Sequence, residues 1–169
     1  VLAGKYYNDY VIGCGWAGGI KRWGFKGESS YFINSYDITN TVGSLSVSGE
    51  YILSGNKFMG LGLLYSSSGV VGNTDISSSF LAFQTSAKSL MPSRWSAMTT
   101  LVGELNGLTS YALILVYMPG VDFGLLMPSI TRSVAQNFDL SFHMISIGGK
   151  LNNQNTFLAT GFVRLKWSF

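Results

Sequence analysis

The chain has 169 residues and a formal net charge of +3, with 47% hydrophobic and only 11% charged residues. Soluble domains carry about 25% charged residues, so this composition argues against an ordinary water-soluble protein. The longest apolar run, Tyr111 to Met118, falls far short of the ~20 residues of a membrane-spanning helix. The small, scattered positive charge does not indicate nucleic-acid binding, and the lone Cys14 provides neither an internal disulfide nor a metal-ligand spacing.

In chain order, alternating apolar and polar side chains predict strands, because successive side chains of a strand point to opposite faces. About nine segments have the ~9–11 residues of a tilted membrane strand. They are Tyr10–Ile20, Phe25–Asn34, Ser44–Ser54, Phe58–Ser67, Arg94–Leu105, Ser110–Met118, Phe123–Arg132, Phe138–Gly148 and Thr156–Phe169. High hydrophobicity without a spanning helix favours a closed β-barrel, which also satisfies its backbone hydrogen bonds in lipid. The sixth segment is apolar on both faces from Ala112 to Val116, so we expect it to pack inside the barrel.

The last of these segments alternates most regularly and ends on an aromatic residue. One side carries Phe157, Ala159, Gly161, Val163, Leu165, Trp167 and Phe169, and the other carries Thr160, Arg164, Lys166 and Ser168. The stretch from Phe162 to Phe169 resembles the C-terminal signature of bacterial outer-membrane β-barrels.

This resemblance implies an antiparallel transmembrane β-barrel that crosses the outer membrane of a Gram-negative bacterium many times, in contact with membrane lipid. It also implies insertion by the barrel-assembly machinery, which reads the final strand. The assembly signal would comprise Val163, Leu165, Trp167 and Phe169. The pattern does not select one barrel family.

The predicted connections fall into short and long sets. The short set is Lys21-Arg22-Trp23, Gly55-Asn56-Lys57, Asn106-Gly107-Leu108 and Ala135-Gln136-Asn137. The long set is Ser35–Gly43, Gly69–Ser93, Pro119–Asp122 and Gly149–Asn155. Outer-membrane barrels have short periplasmic turns and longer external loops, so we assign the short set to the periplasm. The last strand then ends at the periplasmic rim.

Counting strands back from that rim places the first residues outside the cell. We expect Val1–Gly4 to be the top of a preceding upward strand and Lys5–Asp9 to be an external loop. Single-chain bacterial barrels have an even number of strands and both ends in the periplasm. Residues 1–169 are therefore interpreted as one domain, the C-terminal part of a larger, even-stranded barrel. The alternative is that one ambiguous strand is miscounted.

The longest connection, residues 69–93, is expected to be an external loop with a function of its own, unless it is disordered. Asp75 or Ser77 would cap a short helix that ends at Pro92. The apolar residues of this helix would be Ile76, Phe80, Leu81, Ala87 and Leu90. They would fold into the pore, lie on the outer leaflet, or dock another envelope protein.

Charged positions on one side of the predicted strands would line the lumen. They are Lys26, Glu28, Glu50, Arg94, Glu104, Asp139, His143, Arg164 and Lys166. These charges would form a constriction that sorts solutes, or a network of ion pairs that fills a narrow lumen. The aromatic girdle that contacts the membrane boundary would include Trp16, Trp95, Trp167 and Phe169.

Neither catalytic residues nor a cofactor or metal site is predicted. The only histidine, His143, follows Ser141 on one face, whereas outer-membrane lipid A deacylases carry the reverse order, His-x-Ser. The palmitoyltransferase barrels place a His, Asp and Ser near the external rim, which also does not match. The sequence favours porin-like passage of small solutes. The alternatives are an occluded structural or accessory subunit of a cell-envelope complex and, less favoured, a lipid-modifying outer-membrane enzyme.

Overall fold

The computed structural model describes residues 1–37, 39–71, 86–151 and 154–168. Within these ranges the chain forms ten strands and no helix. The strands are β1 (Leu2–Tyr6), β2 (Asp9–Ile20), β3 (Trp23–Asn34), β4 (Val42–Ile52), β5 (Phe58–Ser66), β6 (Trp95–Asn106), β7 (Thr109–Met118), β8 (Phe123–Ala135), β9 (Phe138–Leu151) and β10 (Gln154–Trp167). The all-β class predicted from the sequence is confirmed.

Every strand pairs in antiparallel fashion with its neighbours in the chain, which gives one ten-stranded sheet ordered from β1 to β10. The sheet is open, because β1 and β10 form its two edges and do not pair with each other. Every residue of β10 is exposed, and β1 pairs only with the Asp9–Gly13 part of β2. Barrel closure is therefore not part of the described structure.

The register divides the sheet into two chemically different faces, since directly opposed residues of paired strands lie on the same face. One face carries Asp9, Lys26, Glu28, Glu50, Glu104, Asp139, Arg164 and Lys166. We call it the charged face. The other carries Ile12, Phe25, Val47, Leu63, Leu115, Phe142 and Val163. We call it the apolar face.

The connections lie at two ends of the sheet. At one end, the turn end, strands are joined by Lys21-Arg22, residues 53–57, Gly107-Leu108 and Gln136-Asn137. Left-handed backbone at Lys21 (φ 56°) and Asn137 (φ 62°) suits tight hairpin turns of two residues. All four short connections were predicted at these places, although Trp23, Asn106 and Ala135 belong to strands rather than to turns.

At the other end, the loop end, Tyr7-Asn8 and residues 119–122 join strands, and the described residues 35–37, 39–41, 67–71 and 86–94 belong to two longer connections. The strand predicted at Val1–Gly4 is present as part of β1, but the predicted loop Lys5–Asp9 is too long, because Lys5 and Tyr6 pair with Tyr10 and Asp9 and only Tyr7-Asn8 join the strands. With β1, the described residues contain ten strands, whereas about nine full-length strands were predicted. The five residues of β1 are too few for the alternation on which the strand count depended.

The predicted irregular segment Gly149–Asn155 is also wrong over most of its length. Gly149 pairs with Thr156 and Lys150 with Asn155, so β9 extends to Leu151 and β10 begins at Gln154, and residues 152–153 lie outside the described residues. Glycine and asparagine are depleted in strands, but here the cross-strand ladder overrides that preference.

The predicted helix between Asp75 and Pro92 falls mostly outside the described residues. Its final part is wrong, because Ser86 and Ser89 bond to each other across a tight turn that contains Ala87. Leu90 and Pro92 follow in bends.

A small buried core lies at the loop end. Met118, Val121 and Phe123 form a cluster against which Val70 and Ile147 pack. Val116, earlier on β7, is also buried. Part of β7, which was expected to pack inside a barrel, is thus buried in the described structure, whereas the barrel interior itself stays a prediction.

Candidate functional site: the charged face and the apolar face

The charged face brings together the predicted lumen residues. Lys26, Glu28, Glu50, Glu104, Asp139, His143, Arg164 and Lys166 all belong to it by register. Arg94 differs, because it precedes β6 and lies exposed at the loop end. Six of these charges lie within three residues of strand ends at the turn end, namely Lys26, Glu50, Glu104, Asp139, Arg164 and Lys166.

Direct pairing among these charges is sparse. The Nζ of Lys26 donates to Oε1 of Glu50 at 3.0 Å, with both side chains more than half exposed. Glu104 instead accepts a hydrogen bond from the Nδ2 of Asn56 at 3.1 Å. Within the described ranges, no other pair of predicted lumen charges forms an ion pair. The charged face therefore lacks, in these residues, the continuous ion-pair network that the sequence left open.

The part of the charged face on β2 to β4 carries small side chains that leave space above the sheet. A cavity of about 370 Å³ opens there. Its lining includes Gly13, Gly15, Glu28, Ser30, Ser44 and Leu90. Ser30 and Ser44 join their hydroxyls at 2.7 Å, so this wall offers hydroxyl groups and one carboxylate to a solute.

The described end of the connection between β5 and β6 lies over this face. Lys88 forms an ion pair with the Oδ2 of Asp9 on β2, and Leu90 lines the cavity. Asp9 is buried, with only 4% of its side chain exposed, and its Oδ1 accepts a hydrogen bond from Asn34 at 3.0 Å. The end of the connection thus folds over the charged face, one of the placements that the sequence left open.

The apolar face is exposed although it is hydrophobic. Leu63 is 57% exposed, Val163 66% and Trp167 66%. Among the described strand residues, this face carries three cations, Lys5, Arg132 and Lys150, and no carboxylate. A surface of ten strands that exposes its hydrophobic side chains is not expected in water, where exposed apolar patches of soluble monomers reach a few hundred Å².

Aromatic side chains on the apolar face form two rows near the strand ends. The loop-end row contains Tyr10, Tyr31, Tyr65, Trp95, Tyr117 and Phe157. The turn-end row contains Trp23, Tyr51, Tyr111 and Trp167. Neighbouring members touch within each row: the ring centroids of Tyr65 and Trp95 are 4.8 Å apart, and those of Trp23 and Tyr51 are 4.6 Å apart.

Two predicted girdle residues, Trp95 and Trp167, lie in these rows, and Phe169 lies outside the described residues. Trp16 belongs to the apolar face but sits within β2, where its ring covers Gly27 of β3. Trp23 was not predicted for the girdle, because it had been assigned to a turn, and Tyr10, Tyr111 and Tyr117 were not predicted either. The alternation of Tyr111 and Tyr117 with the charged-face positions of β7 is the signal that identifies them.

The described residues of the predicted assembly signal share one face as well. Val163, Leu165 and Trp167 all lie exposed on the apolar face of β10. Phe169 again falls outside the described residues.

His143 makes contacts that do not resemble a catalytic arrangement. Its ring stacks on Phe162 of β10, with centroids 4.9 Å apart and planes 15° apart. The Ser141 hydroxyl accepts a hydrogen bond from Thr131 at 2.9 Å. No hydrogen bond connects His143 with Ser141 in the described part of the chain. The expectation that the protein is not an enzyme stays a prediction.

One loop carboxyl has a shifted pKa. In the β3–β4 connection, the Thr39 hydroxyl donates to Oδ1 of Asp37 at 2.6 Å, and the Thr39 amide donates to the same oxygen at 3.0 Å. These bonds lower the pKa of Asp37, because they stabilise its charged form.

Searches for other kinds of site gave negative findings for the described residues. They contain no cluster of three or more His, Cys, Asp or Glu side chains that could hold a metal ion. None of them belongs to a helix long and apolar enough to cross a membrane. Comparison with protein-family models, curated proteins and solved structures finds no match for this chain.

Proposed function

We propose that this chain forms the wall of a bacterial outer-membrane β-barrel through which small solutes pass. The observation that supports this most strongly is the separation of the two faces over ten strands. Most charged side chains of the strands, including every carboxylate of the described strands, lie on one face, and the opposite face exposes Leu, Val, Ile and aromatic side chains. Membrane barrels have this arrangement, because one face contacts hydrocarbon and the other a polar interior.

The distance between the aromatic rows agrees with a membrane. Trp23 and Tyr31 on β3 are about 27 Å apart along the strand at about 3.4 Å per residue, and Phe157 and Trp167 on β10 about 34 Å. Strands tilted by about 40° reduce these spans to about 20 and 26 Å along the membrane normal, against an apolar band of about 25 Å in known barrels. Tyr and Trp suit the two boundaries of that band.

The open edges support the same proposal. Unpaired strand edges promote aggregation in water, and barrels remove them by closure. In the proposed barrel both β1 and β10 pair with further strands or with each other, and the turn end faces the periplasm. The barrel-assembly machinery then inserts the chain by reading β10.

Conductance across a planar lipid bilayer tests solute passage. Insertion of the protein should produce discrete current steps, and Glu50→Gln together with Glu104→Gln should shift the ion selectivity towards anions, because two charged-face carboxylates are lost. A barrel that inserts but passes no current over a range of voltages would rule out the porin-like function.

One observation favours a second candidate, an occluded barrel that serves as a structural subunit of an envelope complex. The ion pair of Lys88 with Asp9 and the position of Leu90 put chain across the charged face. The buried cluster of Met118, Val121 and Phe123 adds packed side chains at the loop end, where Met118 and Phe123 belong to the charged face. Co-purification with a partner at fixed stoichiometry, with no conductance, would support this candidate over the first.

A further inference from the structure

We infer that the cavity over β2 to β5 binds small organic cations that carry an apolar chain, with Glu28 as the partner of the cationic group. The inference deepens the proposed function and rests on it, because it names the class of solute that this wall of the lumen takes up. Three observations support it: the order of the residues that line the cavity, a carboxylate without a cationic partner, and glycines that leave room beside that carboxylate.

The floor of the cavity consists of two neighbouring cross-strand rows of the charged face. One row runs from β2 to β5 through Gly15, Glu28, Ser46 and Leu64. The other row runs from β1 to β4 through Leu2, Gly13, Ser30 and Ser44. All eight residues line the same cavity of about 370 Å³, and this volume falls within the range of small-molecule sites, about 300–1,000 Å³. The register therefore brings the proposed ligand-binding residues together on one face.

Glu28 is the acidic residue of this lining, and the chain provides no cation to pair with it. All eleven Lys and Arg residues lie in the described ranges, and the three ion pairs found there do not include Glu28. Lys26, two residues earlier on the same face of β3, is paired with Glu50, and Lys88 is paired with Asp9. The cavity thus carries a negative charge that an incoming cation can neutralise.

Glycine residues on β2 leave space beside this carboxylate. A Cβ placed on Gly15 would lie 3.5 Å from Cγ of Glu28, so the Glu28 side chain leans towards β2 over a residue that has no side chain. Gly13, the next residue of this face on β2, also lacks one. Side chains at these two positions would occupy the cavity next to the carboxylate.

The polar atoms near Glu28 suit an ammonium group. Ser46 is the cross-strand neighbour of Glu28 on β4, and Ser30 follows Glu28 on the same face of β3. The hydroxyls of Ser30 and Ser44 share one hydrogen bond of 2.7 Å, which leaves oxygen lone pairs free to accept further bonds. A carboxylate with hydroxyl oxygens beside it accepts the N–H groups of an ammonium through charge-assisted hydrogen bonds.

The rest of the lining suits an apolar chain. Leu64 lies two strands from Glu28 in the same row, about 10 Å away at the usual strand spacing. Leu90 lines the cavity from the connection between β5 and β6. A hydrocarbon chain that extends from the ammonium across the row covers these leucines and removes apolar surface from water. A cation without such a chain does not use this part of the cavity.

Isothermal titration calorimetry of the full chain, folded in micelles of a non-ionic detergent, tests the site. The probe is hexylammonium, and the comparison compounds are hexanol, hexanoate and methylammonium; titration into empty micelles gives the background. The wild type should bind hexylammonium about fivefold more tightly than hexanol, the factor that corresponds to about 1 kcal/mol for an exposed charge pair. Hexanoate should bind more weakly still. Methylammonium should also bind weakly, because each CH₂ group that leaves water contributes a factor of about four.

Two variants separate the charge from the space. Glu28→Gln should weaken hexylammonium binding about fivefold and remove its advantage over hexanol. Gly15→Leu keeps the carboxylate but fills the cavity, so it should weaken the binding of both compounds. Glu104→Gln is the matched control, because it removes a carboxylate of the same face that does not line the cavity, and it should leave hexylammonium binding unchanged. Folding of each variant is checked by heat-dependent gel mobility.

Equal affinity of the wild type for hexylammonium and hexanol overturns the site, as does Glu28→Gln that binds hexylammonium as tightly as the wild type. Failure of the proposed function gives a different result. A protein that binds hexylammonium but inserts into planar bilayers without passing current keeps the site and loses solute passage. Discrete current steps without hexylammonium binding keep solute passage and lose the site.

Discussion

The ion pair between Lys88 and Asp9 is expected to contribute more to stability than any other charge pair in the described residues. Asp9 is almost completely buried, and Lys88 is 29% exposed on its side chain. Lys88→Met keeps the length of the side chain but leaves the Asp9 carboxylate with the Asn34 side chain, at 3.0 Å, as its remaining side-chain donor among the described residues. Removing one partner of a buried pair costs about 3–5 kcal/mol. Because water reaches Lys88, we expect about 2–3 kcal/mol.

The matched control is Lys26→Met, which removes the lysine of the other charged-face pair. Lys26 and Glu50 are 61% and 53% exposed, so their pair should contribute about 0–1 kcal/mol. Urea unfolding of the protein in detergent micelles, followed by tryptophan fluorescence, measures both changes. With a slope of about 1–3 kcal/mol per molar urea, Lys88→Met should lower the midpoint by roughly 1 M and Lys26→Met by much less.

A double-mutant cycle with Asp9→Asn then isolates the pair. The double variant should be less destabilised than the sum of the single variants by about 1 kcal/mol or more. If Lys88→Met and Lys26→Met lowered the free energy of unfolding equally, the reasoning from burial would be refuted. The same holds if the effects of Lys88→Met and Asp9→Asn on that free energy simply added.

Three further outcomes are expected in the same urea assay or by NMR. Gly27→Ala should destabilise the protein by about 1 kcal/mol because the new methyl group displaces the indole ring above it, whereas Gly49→Ala, whose nearest neighbouring atom would be 3.9 Å away, should be neutral or stabilising. Leu63→Arg should cost about 2–4 kcal/mol in a membrane and more than the uncharged Leu63→Gln, whereas an equal or smaller cost would indicate that this position contacts water. Thr39→Val should raise the pKa of Asp37 towards its ordinary value, because the side-chain hydrogen bond that mainly lowers it is removed. Since the folded-state pKa is lowered, the stabilisation from Asp37 is present above its unfolded-state pKa and declines as the pH falls through the folded-state value. An NMR titration of the variant that shows no upward shift in the pKa of Asp37 would contradict this account.

The sequence predicted the strands of this fold better than their connections. Long alternating segments such as Phe138–Gly148 carry enough periodic positions to determine both the strand and its two faces. The five residues of β1 do not, and Gly149 and Asn155 have weak strand preference although they pair across the β9–β10 hairpin. Such segments become strands because a neighbouring strand supplies the hydrogen bonds, which local sequence cannot reveal.

For the candidate site, alternation was enough to group the charged residues but not to predict their contacts. The pairing of Lys26 with Glu50 depends on the register between β3 and β4, and the contact of Lys88 with Asp9 joins residues far apart in the chain. The side chains of Lys57 and Tyr111 both lie over Gly103, and this contact depends on the register of β6 and β7. These contacts require the three-dimensional arrangement of the strands.

The most direct test of the central claim compares two positions at similar depth on opposite faces. Cys14 lies exposed on the apolar face and pairs with Ser29 of β3. Glu28, the residue before Ser29, lies at a similar depth on the charged face. A fluorescent probe is attached to Cys14 in vesicles, or to Glu28→Cys in a Cys14→Ser background. Quenchers within the lipid chains should act on the probe at Cys14 and aqueous iodide on the probe at position 28. Strong iodide quenching of the Cys14 probe in folded, vesicle-bound protein would contradict the assignment of the apolar face to lipid.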